Sequence, residues 1–174
     1  DEAEEVVKDV EREVRRLEKE NRDLVERSKR LVERLEKESR DLVRKSREDV
    51  KRLREKGVPE DVVRKLEEVS RDSARRLKES NDESRRVSDE SKKKLEESLE
   101  ETRRVVDRVR KLLREGVDEE ELRKDVERVV KKDEDITDEV RKENDEVVKK
   151  NEDIIDELRK KNEEVLRRVD EEAR

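Results

Sequence analysis

The chain has 174 residues; 62% are charged, 26% are hydrophobic, none is aromatic, and the formal net charge is −6. One domain is the expectation at this length, and so small an apolar fraction excludes a thick globular core. Cys and His are both absent, which excludes disulfides, thiolate and imidazole metal ligands, a Cys nucleophile and the usual general base near neutral pH.

The first predicted helix covers residues 2–56. Val7, Val10, Val14, Leu17, Asn21, Leu24, Ser28, Leu31, Leu35, Ser39, Leu42, Ser46, Val50 and Leu53 recur along it at helical spacing, close to a heptad. Its start is acidic (Asp1, Glu2, Glu4, Glu5) and its end basic (Lys51, Arg52, Arg54, Lys56), as the helix dipole favours. Gly57-Val58-Pro59-Glu60 then breaks the pattern. Gly57 takes the left-handed conformation after a helix C-terminus, Val58 folds back onto the last turn, and Pro59 opens the next helix.

The second predicted helix covers residues 59–115. Its stripe is the most polar of the three, with Ser70, Ser73, Ser80, Asn81, Ser84, Ser88, Ser91 and Ser98. Gly116-Val117-Asp118-Glu119 repeats the grammar of the first break, and Asp118 with Glu121 suits a capping box. The third helix, over 118–172, carries Thr137, Asn144, Asn151 and Asn162 on its stripe and ends near Arg167 and Arg168. Helices two and three drift above heptad spacing through four-residue steps such as Ser73 to Leu77 and Val140 to Asn144, which relaxes supercoiling. Connections this short force antiparallel neighbours. The expected fold is therefore all-α: an elongated, weakly supercoiled antiparallel three-helix bundle, up-down-up, one domain over 1–174, each helix about 80 Å long.

Polar residues on a core stripe cost stability unless hydrogen-bonded. Measured in register about the two loops, they fall at shared heights. Ser46, Ser70 and Asn162 form one expected triad, and Ser28, Ser88 and Asn144 another. Asn81 and Asn151 share a third height with Leu35 opposite, and Asn21 and Thr137 a fourth near Ser91. With Ser84, these twelve residues are the expected buried network that fixes helix register, as a buried Asn does in coiled coils. The pattern alone leaves the burial of Ser73, Ser80 and Ser98 open.

No catalytic, cofactor or metal site is expected. Gly57 and Gly116 are lone caps rather than a phosphate loop. Asp133-Glu134-Asp135 reads as a solvated face neutralised by Lys131 and Lys132. No run of apolar residues exceeds two, far short of the roughly 20 a membrane span needs. Asp1–Val10 is acidic and lacks a signal-peptide pattern, so a soluble chain is expected. Interleaved charges and missing aromatics argue against nucleic acid, and nothing marks a small-molecule partner. The expected partners are none, a second copy, or a helical partner.

In its Gly-Val loops, dipole-matched termini, reduced alphabet without Phe, Tyr, Trp, Met or Gln, and Ser/Asn/Thr core layers, the whole chain resembles de novo designed helical bundles with buried hydrogen-bond networks. The resemblance implies a structural scaffold without enzymatic activity. The alternative it leaves is an assembly component that forms a homo-oligomer or accepts a partner helix.

Overall fold

The structure is a computed structural model and describes residues 2–172, with side chains over 4–171. It consists of α1 (Glu2–Glu55), α2 (Glu60–Arg114) and α3 (Glu119–Glu172). The helices pack against one another as an all-α three-helix bundle of up-down-up order, and their ends fall within one residue of those read from the sequence. The expected contributions of Asp1 and of the Glu2 side chain to the acidic start of α1 lie outside the described residues.

Both connections are Schellman turns. After α1 the Val58 amide donates to the Leu53 carbonyl (3.2 Å) and Gly57 to Arg54 (3.2 Å); after α2, Val117 donates to Leu112 (3.2 Å) and Gly116 to Leu113 (3.2 Å). The wrap requires a positive φ, met by Gly57 at 79° and Gly116 at 84°, a region costly for any residue with a Cβ. The two valines part company. Val58 packs onto the cluster containing Leu53 and Val63, whereas Val117 is exposed, at 37%. Asp118 caps α3 by accepting from the Glu120 amide (3.1 Å). The expected return bond from Glu121 is not formed among the described residues. Basic residues occupy the last turns of α1 (Arg52, Arg54) and α2 (Lys111, Arg114) but not of α3, where Arg167 and Arg168 fall one turn short.

The stripes follow a longer rule than a heptad. Buried positions on α1 repeat every eighteen residues: Val6, Leu24, Leu42; Val10, Ser28, Ser46; Val14, Val32, Val50; Leu17, Leu35, Leu53. On α2 the series Leu66, Ser84, Thr102 and Leu77, Leu95 keep the same step, with half-buried Leu113 continuing the second, as do Leu122, Val140, Leu158 and Asp133, Asn151, Val169 on α3. Eighteen residues are five turns of an undistorted helix at about 3.6 residues per turn, so a stripe with this step needs no under-winding to keep to one face. This corrects the near-heptad reading of α1. Val6 and Val32 are buried, and Val7 and Leu31 are half-buried flanks.

Contacts divide the chain into two compact units, each holding a segment of all three helices: the α1 segment up to Lys29 with Val87–Asn144, and Arg30–Arg86 with the α3 segment from Asp145 on. In the first unit, Val6, Val10, Val14 and Leu17 of α1 meet Val106 and Val109 of α2 and Leu122, Val126 and Val130 of α3. Leu24, Leu95 and Val140 form a smaller apolar layer there. In the second unit, Leu35, Leu42, Leu77, Ile155 and Leu158 form one cluster, and Val50, Leu53, Val63, Leu66 and Val169 another.

Ion pairs line the helix flanks. Arg103 reaches Glu18 (2.7 Å) in the first unit; Arg85 holds Glu36 (2.9 Å) and Arg34 holds Glu152 (3.1 Å) in the second. Such exposed pairs each add little stability.

Candidate functional site: the buried polar layers

The fullest layer lies in the first unit. The Ser28 hydroxyl is 2.9 Å from the Ser88 hydroxyl and 3.0 Å from Asn144 Oδ1. Each hydroxyl has one proton, so the satisfied arrangement has Ser88 donating to Ser28 and Ser28 donating to Asn144. The two amide protons of Asn144 go to Ser91 Oγ (3.3 Å) and to the Val140 carbonyl one turn back (2.9 Å). All three helices contribute, and Ser28, Ser91 and Asn144 are buried while Ser88 is half-buried. The expected triad is thus linked, with Ser91 as a fourth member rather than a partner of Asn21.

A second layer in the same unit joins Thr137 to Asn21. Thr137 Oγ1 is 2.9 Å from Asn21 Oδ1 and 2.9 Å from the carbonyl of Asp133. Its α2 member is Ser98, whose hydroxyl donates to Asp133 Oδ1 (2.5 Å). Asp133 is only 1% exposed. It is no part of a solvated acidic face, and the sequence reading of Asp133-Glu134-Asp135 is corrected here. Glu134 is held by Arg16 (2.6 Å), and Lys132 pairs with Glu101 (3.4 Å). Burial pushes the Asp133 carboxyl above the usual aspartate range, against the pull of the Ser98 hydroxyl and the Asn21 amide and with the help of Glu134 and Glu20. Asn21 and Asp133 lie close enough for that pull, yet Asn21 Nδ2 and Asp133 Oδ2 each lack a hydrogen bond of acceptable geometry.

The second unit is more loosely knit. Asn151 Nδ2 donates to Ser84 Oγ, and Ser84 donates to the Ser80 carbonyl (2.9 Å). Asn81 does not meet Asn151 as expected. It is half-buried and its Oδ1 is 3.5 Å from the Ser39 hydroxyl, which donates to Leu35 O at 2.7 Å. The shared height therefore holds an α2–α3 link through Asn151 and Ser84, while Asn81 lies beside Ser39 of α1, whose hydroxyl has no second proton to share. The triad of Ser46, Ser70 and Asn162 is not joined by hydrogen bonds. Ser46 and the half-buried Asn162 line one groove of about 350 Å³ between α1 and α3, and Ser70 lines another of about 670 Å³ between α1 and α2. At that height the polar groups line separate grooves. Equal height along a helix does not fix the angle about its axis, which explains the difference.

Ser73, Ser80 and Ser98 are all buried. Ser98 has a partner, whereas the Ser73 and Ser80 hydroxyls have none among the described residues. Among the described residues no group of three or more acidic side chains is placed to hold a metal ion, and no helix is long and apolar enough to cross a membrane. Asp133 is the member that sequence reasoning missed. Its signal was its place on the stripe, three residues after Val130 and four before Thr137. Comparison with protein-family models, curated proteins and solved structures gives no match.

Proposed function

We propose that this chain is a designed structural scaffold whose buried polar layers set helix register and packing, with no enzymatic activity, cofactor or obligate partner. The supporting observation is the Ser28–Ser88–Asn144–Ser91 layer, in which three helices supply complementary donors and acceptors. A slide of α1 or α3 by a turn would set Leu24 or Val32 in place of Ser28, or Val140 or Val148 in place of Asn144, at about 1–3 kcal/mol for each polar group left unsatisfied. An all-apolar stripe imposes no such penalty, because one valine layer accepts another. The Schellman turns and the eighteen-residue core step, which leaves the helices unstrained, fit idealised design.

The test replaces the whole layer with apolar residues (Ser28→Val, Ser88→Val, Ser91→Val, Asn144→Leu). This variant is expected to melt at higher temperature yet lose uniqueness, giving several masses by light scattering or multiple amide resonances. A variant with one mass and one set of resonances would show that the layers do not specify the packing.

A second reading is favoured by the Ser46, Ser70 and Asn162 height. Its polar groups open on grooves, where another copy of the chain or a helical partner would complete them. Self-assembly is then the function, and a solution mass above that of one chain would support it.

A further inference from the structure

We propose that Asn21, Ser98, Asp133 and Thr137 form a proton-gated layer, in which a proton taken up on Asp133 Oδ2 turns the Asn21 amide over and closes a hydrogen-bond chain that the ionised carboxylate leaves open. This rests on reading the buried layers as register-setting devices and adds a regulatory step to one of them.

The layer has fewer protons than acceptors in reach of them. Thr137 Oγ1 lies at bonding distance from two acceptors, Asn21 Oδ1 and the Asp133 carbonyl, but has one proton to give. Ser98 spends its proton on Asp133 Oδ1. Asn21 Nδ2 and Asp133 Oδ2 lie near each other in the same layer, yet neither makes a hydrogen bond of good geometry. Turning the amide over while Asp133 is ionised would set Asn21 Oδ1 against Oδ2, two acceptors face to face. One proton from solvent removes that conflict. Asp133 Oδ2–H donates to Asn21 Oδ1, Asn21 Nδ2 donates to Thr137 Oγ1, and Thr137 donates to the Asp133 carbonyl. Ser98 keeps its bond to Oδ1. One proton is gained, no covalent bond other than O–H is formed, and both orphaned atoms acquire partners.

The charges around the layer favour the proton. On α1, Glu20 faces Asp133, and Arg16 is engaged by Glu20 (2.9 Å), Glu13 and Glu134. On α2 the flanking Glu101 is held by Lys132 (3.4 Å). On α3, Glu134 adds a like charge. Among the described residues no cation forms an ion pair with Asp133.

The experiment is a carbon and nitrogen NMR titration of the full chain, following the Asp133 carboxyl and the Asn21 and Asn144 side-chain amides, with Asp133→Asn as control. The expected result is an Asp133 midpoint above the ordinary aspartate range, with the Asn21 amide resonances shifting at that same midpoint and remaining pH-independent in Asp133→Asn. An ordinary or lowered midpoint overturns the proposal, as does an Asn21 amide unmoved while Asp133 titrates. Both readouts come from the parent chain, so a control that fails to fold leaves the test intact. Asn144 separates the two ideas. Rapid solvent exchange of its amide would sink the register reading, whereas a protected Asn144 with an unresponsive Asn21 would sink only the proton gate.

Discussion

Asn144 offers the sharpest perturbation, because it touches every member of its layer except Ser88. Asn144→Ala removes the acceptor of Ser28 at 3.0 Å and the donor to Ser91 at 3.3 Å. The Val140 carbonyl remains engaged within its own helix, and Ser28 keeps Ser88 at 2.9 Å. Two cross-helix bonds at about 1 kcal/mol each, and a partly orphaned Ser91, give a loss of about 2–3 kcal/mol. At this chain length that lowers the melting temperature by roughly 5–10 °C. Loss of side-chain volume contributes too, so the decisive quantity is a coupling energy. A double-mutant cycle of Ser28→Ala and Asn144→Ala, followed by urea unfolding with helical circular dichroism, is expected to give a coupling of about 1 kcal/mol. The same cycle on Ser46 and Asn162, which share a groove without a bond, is expected to give none. Equal couplings in the two cycles, or none in the first, would mean that Asn144 holds no cross-helix network.

Other expectations follow from single features. Ser73 and Ser80 bury hydroxyls without partners, so Ser73→Ala and Ser80→Ala are each expected to stabilise by about 1 kcal/mol in thermal melts, whereas Ser84→Ala, which strips the partner of Asn151, destabilises by a similar amount. Nothing lies within 4 Å of a Cβ added at Gly57 or Gly116; Gly→Ala at either is expected to cost only the left-handed strain, about 1–2 kcal/mol by chemical denaturation. Asp133 carries the pH dependence. Its carboxyl is raised in the folded chain, so the folded state holds its proton to higher pH than the unfolded state does. Its contribution to stability is therefore fully present below the ordinary aspartate value and is lost as pH rises through the raised one. Asp133→Asn is expected to be at least as stable as the parent at pH 7 and to lose that advantage in acid, read as the difference between the two urea midpoints across pH.

Helices, loops and the interior stripe were legible because each rests on local chemistry. Gly57 and Gly116 must take positive φ, and residues 3.6 apart must share a face. What escaped depends on angle rather than height. Val6 and Val32 replaced Val7 and Leu31 because adjacent valines and leucines at 6–7 and 31–32 offer equal apolarity, and only the eighteen-residue step chooses between them. Asn81 turned to Ser39 instead of Asn151, and Ser46, Ser70 and Asn162 dispersed into two grooves, since side-chain direction about a helix axis is set by the neighbouring helices. Asp133 was hidden by its charge. In a chain with 57 acidic residues, one carboxylate on the stripe resembles the many beside it until its lack of exposure is seen.

The most direct measurement of the central claim, that the polar layers close within one chain, is solution mass by light scattering across a wide concentration range. Layers closed within one chain give 21.1 kDa throughout. A mass that is a multiple of this value, or that climbs with concentration, would contradict it and place the layers' partners on another chain.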